Sequence, residues 1–360
     1  MATTSWSVVI GSTTFTSSVM SMQFDIGRQT LFDDHSGGQI TVTLRNNTNQ
    51  CAVIRQGDTV FLNTYHYFWV ADIAFNEGVT DAEATCTVRA VDSLSLTAQY
   101  SLGAGTGYST SPTQQMYDIW QASGIQPPYL DAVETATTVV SGTVAEDTTI
   151  LNRFSTLMIS EMGSLVTNGS QIQAYPYSFF KTSQYTFGRS GTSGIPYYNL
   201  TRMAGTSISA NNVIIDYVTN VGTYQVVGSA FKRTYRRYTV LANLPYDLPS
   251  FQAQFFAETL SDPTTISGEL SWSDKAATTA NNNTWMSNYY LSPAYMATLE
   301  YKIPGSSATS TRIKIEGVSC NVTPSETNWT VYFTDGAVYD DFILDSSAGT
   351  LGVSRFGWQA

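Results

Sequence analysis

Alternation of apolar and polar residues dominates the start of the chain. In Gln39-Ile40-Thr41-Val42-Thr43-Leu44-Arg45, Ile40, Val42 and Leu44 share one face and Thr41, Thr43 and Arg45 the other, the period of a half-buried strand. Ala84 to Ala90 repeats the pattern, with Cys86 and Val88 inward, and the short apolar runs Val60-Phe61-Leu62 and Tyr67-Phe68-Trp69-Val70 fit buried strands. Breaks at Ser36-Gly37-Gly38, Asn46-Asn47-Thr48-Asn49 and Asn76-Glu77-Gly78 supply the turns. Strands at this spacing indicate a small antiparallel barrel or sandwich.

The texture changes after a Gly/Ser/Thr-rich linker at Ser101 to Pro112. From Thr113 to Ser123, Met116, Ile119 and Trp120 recur at helical spacing and Gly124 marks a stop. A second helix carries Ile150, Leu151, Phe154, Leu157 and Met158 on one stripe, with Asp147 or Thr148 as the expected cap and Gly163 as its end. Ser164-Leu165-Val166 and Gln171 to Tyr175 flank Asn168-Gly169, a strong hairpin signal. Residues 182–210 show no period and read as loop. Strands then return at Val213 to Ile215, Tyr224 to Val227 and Thr234 to Leu241, and later at Arg312 to Glu316 and Trp329 to Phe333. The order is β, a small α/β insert, then β. No repeat is visible by residue identity, though the two β regions could be diverged copies of one fold.

Composition narrows the classes. Charged residues are only 12% of the 360, the net charge is −11, and aromatics reach 13%. Such a chain has material for sizeable cores and is not a disordered one. Its acidic balance argues against a protein that grips phosphates, though not against a conduit past which DNA slides. No run of 18 or more apolar residues offers a membrane anchor, and Met1 to Trp6 lacks the pattern of a secretory signal. Cys51, Cys86 and Cys320 are scattered and read as buried thiols rather than a disulfide framework or a zinc site. The Asn-x-Ser/Thr triplets, such as that at Asn328, are expected by chance in a chain so rich in these residues.

Candidate chemistry is sparse. The two histidines, His35 in a turn and His66 among tyrosines, have no Gly-x-Ser-x-Gly elbow to serve. Neighbouring carboxylates at Asp33-Asp34 and Asp340-Asp341 point to opposite faces of an extended chain, so glycoside hydrolysis would need a partner carboxylate from elsewhere. Phosphate-cradle and dinucleotide glycine motifs are absent. The one basic cluster, Lys232, Arg233, Arg236 and Arg237 among aromatics, splits its charges between two strand faces. It reads as a solvated strand or an inter-subunit contact rather than a nucleic-acid groove. No catalytic residue, metal ligand or cofactor site is nominated.

The C-terminus carries a resemblance. Asp341-Phe342-Ile343-Leu344-Asp345-Ser346-Ser347, followed by Gly349-Thr350-Leu351-Gly352-Val353-Ser354-Arg355-Phe356-Gly357-Trp358, is similar to the ending of a family of bacteriophage minor tail proteins related to tail-tip and baseplate hubs. Gly27-Arg28, Asp34 to Gly38 and Ile40 to Asn46 resemble that family's opening. Ala90-Val91-Asp92-Ser93-Leu94 looks like its strand end, and Gly163 to Gly169 like its middle segment.

The resemblance implies two tail-tube-like β-barrel domains flanking a helix-containing middle domain. The expected divisions are 1–104, 105–206 and 207–360. It also implies a homo-trimer whose six β-domains form a ring at the distal end of a tail tube, in contact with tube, distal tail or fibre proteins. DNA would be met only in passage through the lumen, and the chain would be made in the host bacterial cytoplasm. Arg28, Asp34, Gly38, Asp92, Ile343, Leu344, Asp345, Ser346, Gly352, Arg355 and Trp358 are then structural signature residues, with Phe342 to Leu344 buried and Arg355 and Trp358 pinning the terminus. A receptor-binding or fibre-attaching tail protein is the alternative, and a virion-associated polysaccharide-degrading enzyme a more distant one.

Overall fold

A computed structural model of the chain describes residues 6–30, 33–62, 66–125, 129–132, 139–144, 146–161, 163–168, 171–175, 182–188, 194–203, 212–218, 220–225, 234–240, 267–275, 285, 295–302, 305 and 307–335. Within these, the two β regions meet in one 14-stranded sheet. The first region supplies β1 (Val8–Ile10), β2 (Thr13–Thr14), β3 (Val19–Gly27), β4 (Gln39–Arg45), β5 (Thr59–Leu62), β6 (His66–Asn76) and β7 (Thr85–Val91). The second supplies β8 (Thr182–Gly188), β9 (Ile195–Pro196), β10 (Asn199–Met203), β11 (Ser267–Ser273), β12 (Met296–Lys302), β13 (Ala308–Thr323) and β14 (Glu326–Asp335).

The two regions share one plan. The first pairs in the order β2-β1-β5-β6-β7-β4-β3, the second in the order β9-β8-β12-β13-β14-β11-β10. Adding seven to each strand number converts one order into the other. Register agrees as well. Trp69 faces Val91 and Val70 faces Ala90, Ala71 is skipped, and Asp72 faces Arg89. In the second unit Lys314 faces Thr334 and Ile315 faces Phe333, Glu316 is skipped, and Gly317 faces Tyr332. A bulge at the same step of the same hairpin is a conserved bend in the pleat, not an accident of drawing. Register-equivalent positions are buried alike: Val42 with Leu270, Leu44 with Trp272, Leu62 with Leu299, Val88 with Val331. The units differ at one end, where β1 runs antiparallel to β5 and β2 but β8 runs parallel to β12 and β9. The fold is mainly β, and among the described residues neither unit closes on itself as a barrel.

The alternation read from Gln39–Arg45 and from Thr85–Val91 is the one observed, with Ile40, Val42, Leu44, Cys86 and Val88 buried. The stretch 182–210, read as loop, instead contributes β8, β9 and β10 to the sheet. Its lack of period has a cause: β8 and β9 are held by parallel neighbours, and Phe187 and Ile195 are buried among aromatic residues rather than on a half-solvated face.

One core serves both units. Trp6 and Phe24 from the first reach Trp329 of the second at ring-centroid distances of 5.8 Å each. Trp329 stacks on Trp272 at 5.9 Å with 14° between planes, and Trp272 meets Trp285 and Phe187 at 5.1 and 5.5 Å. All three cysteines are buried and free.

A separate module lies between the units in sequence. The hairpin Ser164–Asn168 and Gln171–Tyr175 forms as expected, with Tyr129–Ala132 added in parallel. The helices α1 (Ser93–Thr97), α2 (Pro112–Ser123) and α3 (Ile150–Ser160) pack on it around Met116, Ile119, Phe154, Leu157 and Ile172. Helix α3 is capped one residue later than expected: Thr149 Oγ1 accepts from the Asn152 N–H at 3.1 Å. Asp147 instead accepts from the Ala104 N–H at 2.8 Å, fastening the linker. Asn212–Tyr217, Asn220–Gln225 and Thr234–Tyr238 form a further three-stranded sheet. Among the described residues no helix is long and apolar enough to cross a membrane.

Because Trp329 touches rings from both units, Trp329→Ala is expected to cost about 3–5 kcal/mol. The two units should still melt in one transition in a urea titration followed by tryptophan fluorescence. A two-step curve in the parent protein would contradict the shared core.

Candidate functional site

Among the described residues no group of His, Cys, Asp and Glu side chains could hold a metal ion. The polar features concentrate instead on the seams where the two β units and the middle module meet, and there the described signature residues are found.

The first seam joins the β units. Gly317–Val322 of β13 pairs antiparallel with Met22–Gly27 of β3. The bulge turns Glu316 inward, where it meets Arg28 Nε at 2.8 Å and Lys314 Nζ at 3.4 Å, all three side chains buried. The Arg28 N–H also donates to the Glu316 carbonyl at 3.0 Å. A side chain at Gly317 would stand 2.4 Å from the Arg28 carbonyl oxygen, so only glycine allows the approach. Burial pushes the Lys314 ammonium down to about 7, against the pull of Glu316. For Glu316 burial works against the charge, yet Arg28 and Lys314 outweigh it and hold the carboxyl below its usual range. One carboxylate thus serves two cations.

His35 adjoins this group from the irregular segment between β3 and β4. It is buried, and its backbone N–H donates to Ser155 Oγ of α3 at 3.0 Å. Burial first, then the charges of Arg28, Arg237 and Lys314, hold its imidazole neutral, well below the ordinary histidine range. The sequence read His35 as a turn residue, but the chain from 34 to 38 forms no turn, and the burial of His35 was not legible either.

The second seam fixes the middle module. Asp92 caps α1, accepting from the Ser95 N–H at 2.8 Å, and its other oxygen accepts from Thr167 Oγ1 of the hairpin at 2.9 Å. The Asp92 N–H donates to the Gly38 carbonyl at 3.0 Å, and so does Ser95 Oγ at 3.0 Å. A Cβ at Gly38 would lie 2.8 Å from Asp92 Oδ2. Gly38 and Asp92 are therefore two halves of one contact, 54 positions apart in the chain. Burial raises the Asp92 carboxyl, with the Ser95 and Thr167 bonds pulling the other way.

Asp34 is exposed and lines an open cleft of about 640 Å³ with Asp25, Arg28, Asp33, Ser36 and Tyr332. The basic strand divides its charges as the alternation indicated. Arg236 is exposed and forks onto Asp216 of the neighbouring strand, with Nη2 to Oδ1 at 2.8 Å, while Arg237 is buried towards His35. Lys232 and Arg233 lie outside the described residues, as do Ile343, Leu344, Asp345, Ser346, Gly352, Arg355 and Trp358. Sequence reasoning missed Lys314, Glu316 and His35 as members of the seam; a Lys-x-Glu alternation ordinarily marks a solvated face.

No family model matches the sequence, and no curated protein matches it. Structure is more informative. The chain is similar to a tail protein from Neisseria meningitidis MC58, with a TM-score of 0.65 and 9% identity over 93% of this chain and 97% of that one. It has the phage tail-protein fold. The 43 kDa tail protein of prophage MuSo2 from Shewanella oneidensis shares that fold at a TM-score of 0.61 and 9% identity, over 93% and 98% of the two chains. So does the E. coli c3393 protein, at 0.50 and 9% over 91% and 76%. That protein is described as a component of the type VI secretion system with structural similarity to the T4 bacteriophage tail proteins gp27 and gp5. Among the described residues, the seams gather buried charges and hydrogen bonds that fix the units relative to one another.

Removing the Asp92 carboxylate strips α1 of its cap and Thr167 of its acceptor. Asp92→Ala is expected to cost about 1–3 kcal/mol in a urea titration. Protease cleavage should rise at 93–104, where the module joins the sheet.

Lys314 gives a pH signature. A base with a folded pKa below its unfolded value binds fewer protons when folded. Its contribution is full above the unfolded value of roughly 10.4 and is lost as pH falls towards about 7. The urea midpoint should therefore rise between pH 7 and 9 and stay flat in Lys314→Met; equal slopes in both proteins would refute the assignment.

Proposed function

We propose that this chain is a structural component of a bacteriophage tail, a hub at the distal end of the tail tube. Its copies assemble head to tail as a trimer, so that two β units per chain give a six-unit ring able to sit on a hexameric tube. The observation that carries this reading is the internal duplication: two units of one strand order, side by side in one sheet and sharing one core. A single chain bearing two equivalent subunits is the economical way to match threefold to sixfold symmetry. The fold of the Neisseria and Shewanella tail proteins supports the tail assignment, and the c3393 protein's stated similarity to gp27 and gp5 supports the hub.

In this reading each unit is one wall of a tube-like barrel completed by its neighbours. The net charge of −11 lets DNA pass through the lumen without adhering, because like charges release no counterions. The half-exposed Arg236–Asp216 pair would sit at or near the outer contacts between chains. Neighbours would be tube, distal tail or fibre proteins, and the chain performs no catalysis.

Mass photometry of the purified protein, followed by electron microscopy of the particle, tests this. The expected result is a species of three chains with a central opening and six similar lobes. A monomer at micromolar concentration, or a rod projecting from the tail in labelled virions, would favour the adhesin reading instead.

A further inference from the structure

The duplication also locates the surface on which one copy would meet the next. Within the chain, β13 has two uses for one edge. Residues Ala308–Lys314 pair with β12, and Gly317–Val322 pair with β3 of the first unit. The register equivalences place Asp72–Asn76 of β6 where Gly317–Asn321 stand in β13. Strand β6 pairs with β5 only through His66–Trp69. Its edge from Asp72 to Asn76 has β7 on one side and no strand on the other among the described residues. At the far end of the sheet, β10 stands where β3 stands in the first unit, and among the described residues it pairs with β11 alone.

We infer that the Asp72–Asn76 edge of β6 in one copy pairs antiparallel with β10, Asn199–Met203, of a second copy, repeating between chains the β13–β3 contact made within each. This rests on the head-to-tail assembly proposed above and supplies its contact. Transferring the register of Ser319 on Asp25, Cys320 on Phe24 and Asn321 on Gln23 sets Ala74 opposite Met203, Phe75 opposite Arg202 and Asn76 opposite Thr201.

Side chains on the open edge support this independently. In β13, Val318 and Cys320 are each 1% exposed, because the first unit covers them. Their equivalents in β6 are also apolar but not covered: Ile73 is partly buried, and Phe75 is 52% exposed. An open strand edge carrying an exposed phenylalanine is a liability unless something pairs with it. The chemistry that fits is a second β edge, and each copy carries one of each kind, so the contact is heterologous and propagates head to tail until it closes.

The two seams differ in one respect. Where β13 brings Lys314 and Glu316 to Arg28, β6 has Trp69 and Ala71. The contact within the chain is locked by buried charge, and the contact between chains is not.

Disulfide trapping tests the register. The native cysteines are buried, so Ala74→Cys with Met203→Cys, and separately Asn76→Cys with Thr201→Cys, place new thiols opposite each other. On oxidation both double variants should give a covalent ladder ending at the size of the ring. Each single variant, and the displaced pair Ala74→Cys with Asn199→Cys, should not. Phe75→Asp should weaken assembly by about tenfold or more while leaving the thermal unfolding of the dilute monomer within a few degrees. Rings that form normally but give no cross-link in either aligned pair, or that tolerate Phe75→Asp, overturn the inference and leave the hub reading standing. A parent protein that stays monomeric at every concentration removes both.

Discussion

The close approach of β3 to β13 is the constraint on which the remaining architecture depends. Two seven-strand units could have been joined by a linker and left to drift. Here they share a ladder, and the ladder is possible only because Gly317 leaves room for the Arg28 carbonyl. The bulge that skips Glu316 then turns a carboxylate into the joint, where Arg28 and Lys314 meet it. A buried charge with one partner removed is costly, whereas a satisfied set is close to neutral in net stability. The triad's contribution is therefore chiefly geometric: it fixes which residues of β13 face which residues of β3.

Apolar and polar contacts divide the work. Inside the sheet, cohesion comes from tryptophan and phenylalanine rings that run from Trp6 to Phe187 through Trp329, Trp272 and Trp285, and inside the middle module from the stripes of α2 and α3. Between them the contacts are polar and local, such as Asp92 with Thr167, Ser95 with Gly38, and His35 with Ser155. Hydrophobic contacts are non-directional and would allow the module to slide, while hydrogen bonds to buried carboxylates fix an orientation. In the ring proposed above, where every copy presents the same two surfaces, the second kind of contact is the one that keeps those surfaces in register.

Low charge is consistent with the proposed role. Only 12% of the residues are charged, which in the proposed role suits permanent contacts where lysine is depleted. Some of the charges occupy joints, as Glu316 does with Arg28 and Lys314, and others hold strand neighbours, as Arg236 does with Asp216.

By itself the sequence determined the local elements whose periodicity one solvated face makes visible: the strands around Ile40 and Cys86, helices α2 and α3, and the hairpin at Asn168. The signature spacing also singled out Arg28, Gly38 and Asp92 without saying why. Tertiary structure alone decided the rest. The strands Thr182–Gly188 and Ile195–Pro196 carry no alternation because they pair with parallel neighbours, with Phe187 and Ile195 buried, and the duplication is silent in residue identity because equivalent positions conserve burial and pairing, as with Leu44 and Trp272, rather than side chains. Lys314 and Glu316 alternate as a solvated face would, and only the bulge and the approach of β3 place them inside. Contacts between residues nearly 290 positions apart, such as Arg28 with Glu316, are set by how the sheet folds back on itself, and no local pattern encodes that.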